Sequence, residues 1–308
     1  MPKTRLKKLV DKGEFVVTAE IGAPHGSDFN LVIERAHLIR DYCDAINIPD
    51  SARGVPTMSS AICSHYIVQE GMEPIMHLTT RDRNRISIQS ELYGAYAVGV
   101  RNVLVIAGDH ARHGSHPDAK VVYDLDTIEA LNLTRTLRKG IDYAGDELEG
   151  VPDFYIGATF NPNDSSIEEN ILQTGRKQKA GADFFQTQAI FEPEKLKDFM
   201  ELASGLNLKV LAGIIPLRNA EMTEFMNTQI PGITIPDEIV KRMKTAGTGL
   251  NEEARDEEMQ KEGIRIALET ISRVRRIKGI HGFHIMGVGW TESIVEIVKG
   301  ANLYPRPE

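Results

Sequence analysis

Short apolar runs alternate with amphipathic segments along the whole chain. After the first run, residues 15–21, apolar positions recur at 29, 32, 33, 36 and 39, a spacing typical of a helix with one buried face. Ser27 and Asp28 precede this helix and are its candidate N-caps. The order of strand, turn and helix then recurs. The predicted strands cover residues 15–21, 43–48, 74–79, 102–107, 154–159, 184–188, 208–215 and 282–286.

This alternation predicts the fold class. Strands that alternate with helices form parallel sheets, and eight such units close a barrel. The 308 residues suffice for two domains or for one barrel of about 250 residues with additions. We predict a single α/β domain over residues 1–308 with a (β/α)8 TIM-barrel fold, rather than two doubly wound sheets. The remaining predicted helices cover residues 57–69, 84–98, 126–138, 166–180, 193–203, 219–226 and 291–299.

The connection between the seventh and eighth strands is enlarged, from about residue 216 to residue 280. It contains a short predicted helix at 237–245 and a long one from Asn251, a candidate N-cap, to Lys278. Acidic residues begin the long helix and basic residues end it, which complements the helix dipole. We therefore interpret these charges as solvated helix ends and not as binding patches.

Composition and charge exclude several classes of protein. The 36 basic and 44 acidic residues give a formal charge of −8, which argues against a nucleic-acid partner, because phosphate binding needs a basic surface. No apolar run of about 18 residues is present, so we predict no membrane span, and the basic N-terminus lacks the apolar core of a secretory signal. The two cysteines, Cys43 and Cys63, predict reduced thiols in a cytoplasmic protein and are too few to hold an iron–sulfur cluster.

Candidate chemistry is expected at the C-terminal ends of the strands, where barrel enzymes place their catalytic groups. Glu20 is flanked by apolar residues, and burial would raise the pKa of its carboxyl toward that of a general acid; a structural salt bridge is the alternative. Asp109 is a second candidate for a chemical role, and its alternative is a turn-forming role. His77 is a third candidate, and its alternative is a purely structural role. Gln186 competes with Gln188 as a ligand-binding amide. The polar residues predicted at strand ends are Glu20, Asn47, His77, Asp109, Thr159, Gln188 and His284.

Metal and dinucleotide motifs are weak. His110, His113 and His116 have a metal-like spacing, but their neighbours are typical of an exposed loop, which does not fix ligand geometry. We therefore predict no metal site. Neither a complete G-x-G-x-x-G motif after a strand nor a Walker motif is present, so a dinucleotide would not be held in the Rossmann manner.

Several segments together resemble the methylenetetrahydrofolate reductase family between residue 15 and about residue 301: FVVTAEIGAP, IMHLTTRDRNRISIQSELYGAYAVGVRNVLVIAGD, KAGADFFQTQAIF, LAGIIPLRN and GFHIMG. The resemblance implies a noncovalent FAD and the reduction of 5,10-methylenetetrahydrofolate to 5-methyltetrahydrofolate. It implies that Glu20 is the general acid toward the folate nitrogen and that Asp109 lies beside the flavin pyrimidine and the folate. Gln188 corresponds to the family's folate-binding glutamine. The implied FAD contacts are Asn47, His77, Gly108, Asp109, Tyr123, Asp124, Thr159, Asn161, Arg176 and Lys177.

Departures from the better-known bacterial pattern concentrate on the hydride-donor side. Met226 stands where a phenylalanine stacks on nicotinamide, and Met222 replaces a folate-contacting glutamine. Ala107 and Trp290 stand where the pattern has arginines, and Asn161 where a histidine is common. Direct use of NAD(P)H is therefore in question. Our hypothesis is that electrons come from an iron–sulfur partner subunit within an oligomer, because we expect no electron-input domain in this chain.

Two alternatives to this function stay open. One is a non-flavin pterin or aldol-type barrel enzyme, with Glu20 as a base and His77 polarising the substrate. The other is a non-catalytic barrel that serves as a subunit of a larger complex. Colour separates both from a flavoprotein, which is yellow and bleaches when it is reduced.

Overall fold

The computed structural model describes residues 4–164 and 166–307. Eight parallel strands form a closed barrel in chain order, and the last strand pairs with the first. This confirms the predicted (β/α)8 barrel. The strands are β1 (Val16–Glu20), β2 (Ala45–Ile48), β3 (Pro74–Thr79), β4 (Asn102–Ile106), β5 (Tyr155–Phe160), β6 (Phe184–Ala189), β7 (Val210–Ile214) and β8 (Ile280–Met286).

Helices surround the barrel and pack their apolar faces on it. None of the helices in the described ranges is both long enough and apolar enough to cross a bilayer. They are α1 (Arg5–Asp11), α2 (Asn30–Ile39), α3 (Ser60–Gln69), α4 (Arg85–Ala97), α5 (Thr127–Leu137), α6 (Ile167–Ala180), α7 (Pro193–Leu202), α8 (Ala220–Gln229), α9 (Asp237–Thr245), α10 (Glu252–Val274) and α11 (Glu292–Gly300).

Helix beginnings follow local capping chemistry. Asn251 accepts a hydrogen bond from the main-chain N–H of Ala254, which confirms it as the N-cap of α10. The prediction for α2 is wrong by one or two residues, since the N-cap position is Phe29, which makes no side-chain cap bond. Asp28 instead accepts a hydrogen bond from the N–H of Asn30 at 3.1 Å. The helix therefore begins one residue later than the apolar spacing indicated.

Helix α1 is an element that the sequence analysis did not predict. Its residues Leu6, Leu9 and Val10 are buried against apolar side chains inside the N-terminal end of the barrel. The carboxylate of Glu73 accepts hydrogen bonds from the main-chain N–H groups of Arg5 (2.6 Å) and Leu6 (2.9 Å) and so caps the helix. This end of the barrel is filled, and polar chemistry is left to the opposite end.

The enlarged connection after β7 forms a small structure of its own. Helices α8, α9 and α10 share an apolar cluster that includes Leu217, Met226, Met243 and Met259. Gly263 permits α10 to approach the preceding loop, because a Cβ at this position would collide with the carbonyl group of Leu217. The predicted enlargement between the seventh and eighth strands is thus confirmed.

Candidate active site

A cavity of about 860 Å³ opens at the C-terminal ends of the strands, within the size range of cofactor sites. A groove of about 960 Å³ runs between α7 and α10, but none of the predicted site residues lines it. The predicted site residues that line the strand-end cavity are Glu20, His77, Gly108, Asp109, Thr159, Asn161, Lys177 and Gln188.

Glu20 is the last residue of β1, with 22% of its side chain exposed. Its Oε2 lies 3.7 Å from Nε2 of His284 on the neighbouring β8. Burial raises the pKa of this carboxyl, but the interaction with His284 and the positive charge that His77 and His284 carry when protonated outweigh it, so the pKa lies below its usual value. The expectation of a raised pKa is therefore wrong for these surroundings: two imidazoles face the carboxylate. Glu20 also borders a smaller cavity of about 510 Å³.

A layer of polar side chains lies inside the barrel beneath Glu20. Asn47 and Gln186 form a reciprocal amide pair, with N···O distances of 2.9 and 3.1 Å. Asn47 Nδ2 is also 2.8 Å from Nε2 of His77, and Gln186 Nε2 is 3.1 Å from Oγ1 of Thr18. Thr18 Oγ1 is in turn 3.0 Å from Nδ1 of His284. The floor of the cavity is therefore one connected network that joins five strands.

His77 belongs both to this network and to the cavity wall. Burial lowers the pKa of its imidazole to about 4, although the charge of Glu20 acts in the opposite direction. The ring is therefore neutral near neutral pH. Asp50, the next acidic group facing it, accepts hydrogen bonds from the N–H and hydroxyl of Thr79 and forms a 2.6 Å salt bridge with Arg83.

Gly108 and Asp109 follow β4 and are held by neighbouring loops. Gly108 has φ +81°, and a Cβ there would lie 2.9 Å from Cγ2 of Thr79, so only glycine fits without strain. The hydroxyl of Tyr123 donates to the Gly108 carbonyl at 3.0 Å. Asp109 is exposed; its Oδ2 accepts from the N–H of Arg53 at 3.0 Å, and its carbonyl accepts from the buried Arg81 at 3.1 Å. One carboxylate oxygen thus remains available to a ligand.

Lys177 supplies a positive charge to the cavity wall. Its Nζ donates to the carbonyl of Thr159 at 2.7 Å, and it forms no salt bridge with any described residue. Burial lowers the pKa of its ammonium group, and the charge of Asp164 partly offsets this effect. Asn161 connects the same wall to the enlarged connection, since its Nδ2 donates to the carbonyl of Gly232 at 3.0 Å.

Gln188 lines the cavity near the end of β6, beside a shift in register between β6 and β7. Its Oε1 accepts from the N–H of Ala189 at 2.9 Å. Gly213 of β7 allows the strands to approach, because a Cβ there would lie 2.5 Å from the carbonyl oxygen of Thr187. Such irregularities commonly re-aim side chains next to active sites.

Four of the residues expected to contact a flavin do not line the cavity. Asn47 lies beneath it, and Tyr123 supports Gly108 from behind. Asp124 forms a salt bridge with Arg85, which lowers the pKa of the aspartate to about 2. Arg176 is exposed. Among residues 4–164 and 166–307, no three histidine, cysteine or acidic side chains gather in a way that could hold a metal ion.

The structure around position 226 differs from the bacterial pattern, in which a phenylalanine stacks on nicotinamide. Met226 is buried in the apolar cluster of the enlarged connection. Its neighbour Phe225 is 39% exposed, and the guanidinium carbon of Arg53 lies 4.7 Å from the centre of its ring. An arginine therefore already covers the aromatic face next to this position.

Comparison with known proteins now decides the family. The family model described as "Methylenetetrahydrofolate reductase" matches residues 5–302. The chain belongs to the methylenetetrahydrofolate reductase family. Methylenetetrahydrofolate reductase 2 of Schizosaccharomyces pombe is 25% identical over 237 residues, which are 74% of this chain and 35% of that protein. The 5,10-methylenetetrahydrofolate reductase of Salmonella typhimurium is 22% identical over 243 residues, 76% of this chain and 72% of that protein.

Other members of the reductase family and a solved structure extend the comparison. A probable methylenetetrahydrofolate reductase (NADPH) of Caenorhabditis elegans is 24% identical over 250 residues, 80% of this chain and 35% of its own length. The chain thus spans about a third of the longer relatives. An uncharacterized protein from Clostridium thermocellum that binds two copies of 5-methyl-5,6,7,8-tetrahydrofolic acid shares the fold, with TM-score 0.66, 15% identity and coverage of 96% and 98% of the two chains.

Thr18 is a network residue that the sequence did not single out, whereas His284 was predicted only as a polar residue at a strand end and Gln186 only as a competitor of Gln188. A signal was present, because side chains two apart on a strand point to the same face. Thr18 lies two residues before Glu20, and Gln186 two residues before Gln188. Polar pairs at this spacing on inward faces indicate a second polar layer below the first.

Proposed function

We propose that this protein reduces 5,10-methylenetetrahydrofolate to 5-methyltetrahydrofolate with a noncovalently bound FAD. The observation that carries the proposal is the convergence of Glu20, Asp109 and Gln188 on one strand-end cavity in a chain of this family. These are an acid, a fixed anionic group and an amide able to pair with a pterin ring. The Clostridium thermocellum protein, which shares the fold over nearly the whole of both chains, binds a methylated folate.

The cavity fits a flavin dinucleotide in size and chemistry. Its volume of about 860 Å³ accommodates a cofactor of this class. Gly108 has no room for a Cβ, so its main chain can approach a planar ring. Lys177 offers a cation without a carboxylate partner to a pyrophosphate. When bound, FAD would supply the hydride. His77, Gly108, Thr159, Asn161 and Lys177 would hold it.

The protein's own groups would prepare the folate for hydride transfer. Glu20 would give a proton to the folate nitrogen as the imidazolidine ring opens, which leaves a cationic iminium carbon. Ligands that cover Glu20 exclude water from it and so increase the burial that favours its protonated form. The free oxygen of Asp109 would stabilise the cationic folate, and Gln188 would orient the pterin.

We further propose that the electrons come from a partner protein rather than directly from NAD(P)H. Met226 is buried and not aromatic, and Arg53 lies over one face of the neighbouring Phe225 ring, where it would compete with a stacked nicotinamide. A partner that carries a redox centre would reduce the flavin at the open C-terminal face of the barrel.

A half-reaction tests the proposed activity without knowledge of the donor. The purified yellow protein is reduced with dithionite under anoxia and mixed with 5,10-methylenetetrahydrofolate. We expect the flavin absorbance to return and one equivalent of 5-methyltetrahydrofolate to form per flavin. A colourless protein that cannot be reconstituted with FAD would instead favour the pterin or aldol-type alternative. A yellow protein that folate does not reoxidise would contradict the proposed reaction.

A further inference from the structure

The hydrogen bonds of the polar layer inside the barrel run in a defined donor-to-acceptor direction. This direction follows from the central amide pair, Asn47 and Gln186. Asn47 Nδ2 carries two hydrogens, and both are used: one goes to Gln186 Oε1 at 2.9 Å and one to His77 Nε2 at 2.8 Å. Nε2 of His77 is therefore an acceptor. The proton of this neutral ring must lie on Nδ1, which has no protein partner among the described residues, while the ring lines the cavity.

The other amide fixes the second histidine in the same way. Gln186 Nε2 donates to Asn47 Oδ1 and to Thr18 Oγ1, both at 3.1 Å. Thr18 must then use its own hydrogen toward Nδ1 of His284, at 3.0 Å. Nδ1 of His284 is an acceptor, so its proton lies on Nε2, on the side of Glu20.

Reversal of both amides would leave one N–H of Asn47 and one N–H of Gln186 without an acceptor among the described residues, and it would turn a lone pair of His284 toward Glu20. An ionised carboxylate has no hydrogen to donate to it. The first direction uses all four N–H groups of the two amides, so the hydrogen-bond geometry selects it. Asp50 is the other acidic group that acts on His77, and it is already paired with Arg83 and Thr79.

A cationic His284 fits the network poorly. An imidazolium would donate from Nδ1 to Thr18 Oγ1, which already accepts from Gln186. The hydroxyl hydrogen of Thr18 would then have no acceptor among the described residues, although Thr18 is fully buried. An unpaired buried donor is costly. The network thus favours neutral rings.

We propose that Thr18, Asn47 and Gln186 are positioning residues that hold two neutral histidines with their N–H groups turned outward, His284 toward Glu20 and His77 toward the ligand in the cavity. The role of Glu20 in this statement rests on the proposed function, whereas the state of the two rings does not. His284 would steady the carboxylate of Glu20 as a neutral donor rather than as a counter-charge, and would leave the proton for the substrate on Glu20 alone.

Nitrogen NMR of the whole protein labelled with [15N]histidine tests the ring states without folate or turnover. The variants His284→Gln and His77→Gln serve only to assign the two rings among the nine histidines. We expect both rings to be neutral between pH 7.5 and 8.5, with the proton on Nε2 of His284 and on Nδ1 of His77. An imidazolium at either position in this range, or the opposite tautomers, would overturn the proposal and leave the proposed function untouched.

Two substitutions at position 284 then test the consequence for Glu20. Glutamine can accept from Thr18 and donate to Glu20 but cannot become cationic, whereas phenylalanine can do neither. In the folate half-reaction we expect His284→Phe to move the alkaline limb of the pH profile up by about one pH unit, the size of a lost interaction between an N–H group and a nearby carboxylate. His284→Gln should retain most of the wild-type profile. Equal shifts in the two variants would show that His284 acts on Glu20 as a cation. No shift in a folded His284→Phe protein would show that His284 has only a structural role. Either result overturns the proposal.

Discussion

Nε2 of His284 faces the carboxylate of Glu20 at 3.7 Å, where β8 pairs with β1 in the barrel wall. The imidazole favours the ionised form of Glu20, while the reaction proposed here needs the acid form. Ligands that displace water from the cavity would shift this balance toward the acid. In the proposed reaction, Glu20 would therefore become protonated only when the cavity is occupied, and proton transfer would be restricted to the complete complex.

Lys177 and Arg176 are adjacent cationic residues of α6, but only Lys177 lines the cavity. We expect Lys177→Met to weaken FAD binding about 10- to 100-fold, the effect of a lost charge-assisted contact with a phosphate. Arg176→Met is the matched control, because Arg176 is exposed and does not line the cavity. Quenching of flavin fluorescence during reconstitution of the apoprotein measures both affinities. A larger loss in Arg176→Met would show that the cofactor phosphates lie elsewhere.

Gly108 combines a left-handed backbone with a close contact. We expect Gly108→Ala to destabilise the protein by about 2–4 kcal/mol and to lower its flavin content, because backbone strain and the collision with Thr79 add. Gly13 has a similar φ of +77° but no atom within 4 Å of its would-be Cβ, so Gly13→Ala isolates the cost of backbone strain. Urea unfolding measures both. Equal losses would argue against a tight contact at Gly108.

His77 should make the fold sensitive to acid. Its folded pKa of about 4 lies below the ordinary 6.5, so its contribution to stability is complete above pH 6.5 and is lost as the pH falls toward 4. Between pH 7.5 and 4.5 we expect this single group to remove about 2–3 kcal/mol of unfolding free energy. His77→Gln should lose correspondingly less over the same range in urea titrations. His113→Gln, at an exposed position, should behave as the wild type, and identical pH dependence in all three proteins would refute the assignment.

Stopped-flow mixing with NADH or NADPH tests the electron donor. We expect flavin reduction to be at least about 100-fold slower than dithionite-reduced enzyme reacts with folate, a difference of about 2.7 kcal/mol in barrier. The physical reason is that Met226 is not aromatic and that Arg53 lies over one face of the adjacent Phe225 ring. Rapid reduction by either nucleotide in the purified protein would show that no partner is needed.

The fold could be predicted from the sequence because strand and helix periods differ and eight repeats suffice to close a barrel. Helix α1 was missed although Leu6, Leu9 and Val10 have the spacing of a buried helix face, because seven residues are too few for an isolated helix and its cap, Glu73, is distant in sequence. Tertiary contacts create this element.

Positions in the site were easier to predict than their electrostatics. Glu20 and Gln188 could be predicted as site residues from their positions at strand ends, and both line the cavity. The lowered pKa of Glu20 depends on His284, which lies 264 residues away in sequence and becomes its neighbour only when the barrel closes. The pairing of Asp124 with Arg85 is a similar long-range contact. No local pattern encodes such partners.

The central claim is that Glu20 delivers the proton that opens the folate ring. Its most direct test compares Glu20→Gln with Glu296→Gln, an exposed substitution of the same chemistry on α11, in the anoxic folate half-reaction. We predict that both variants bind FAD and are reduced by dithionite, and that only Glu20→Gln is reoxidised by 5,10-methylenetetrahydrofolate about 10²- to 10⁴-fold more slowly than the wild type. Reoxidation of Glu20→Gln at the wild-type rate would contradict the account.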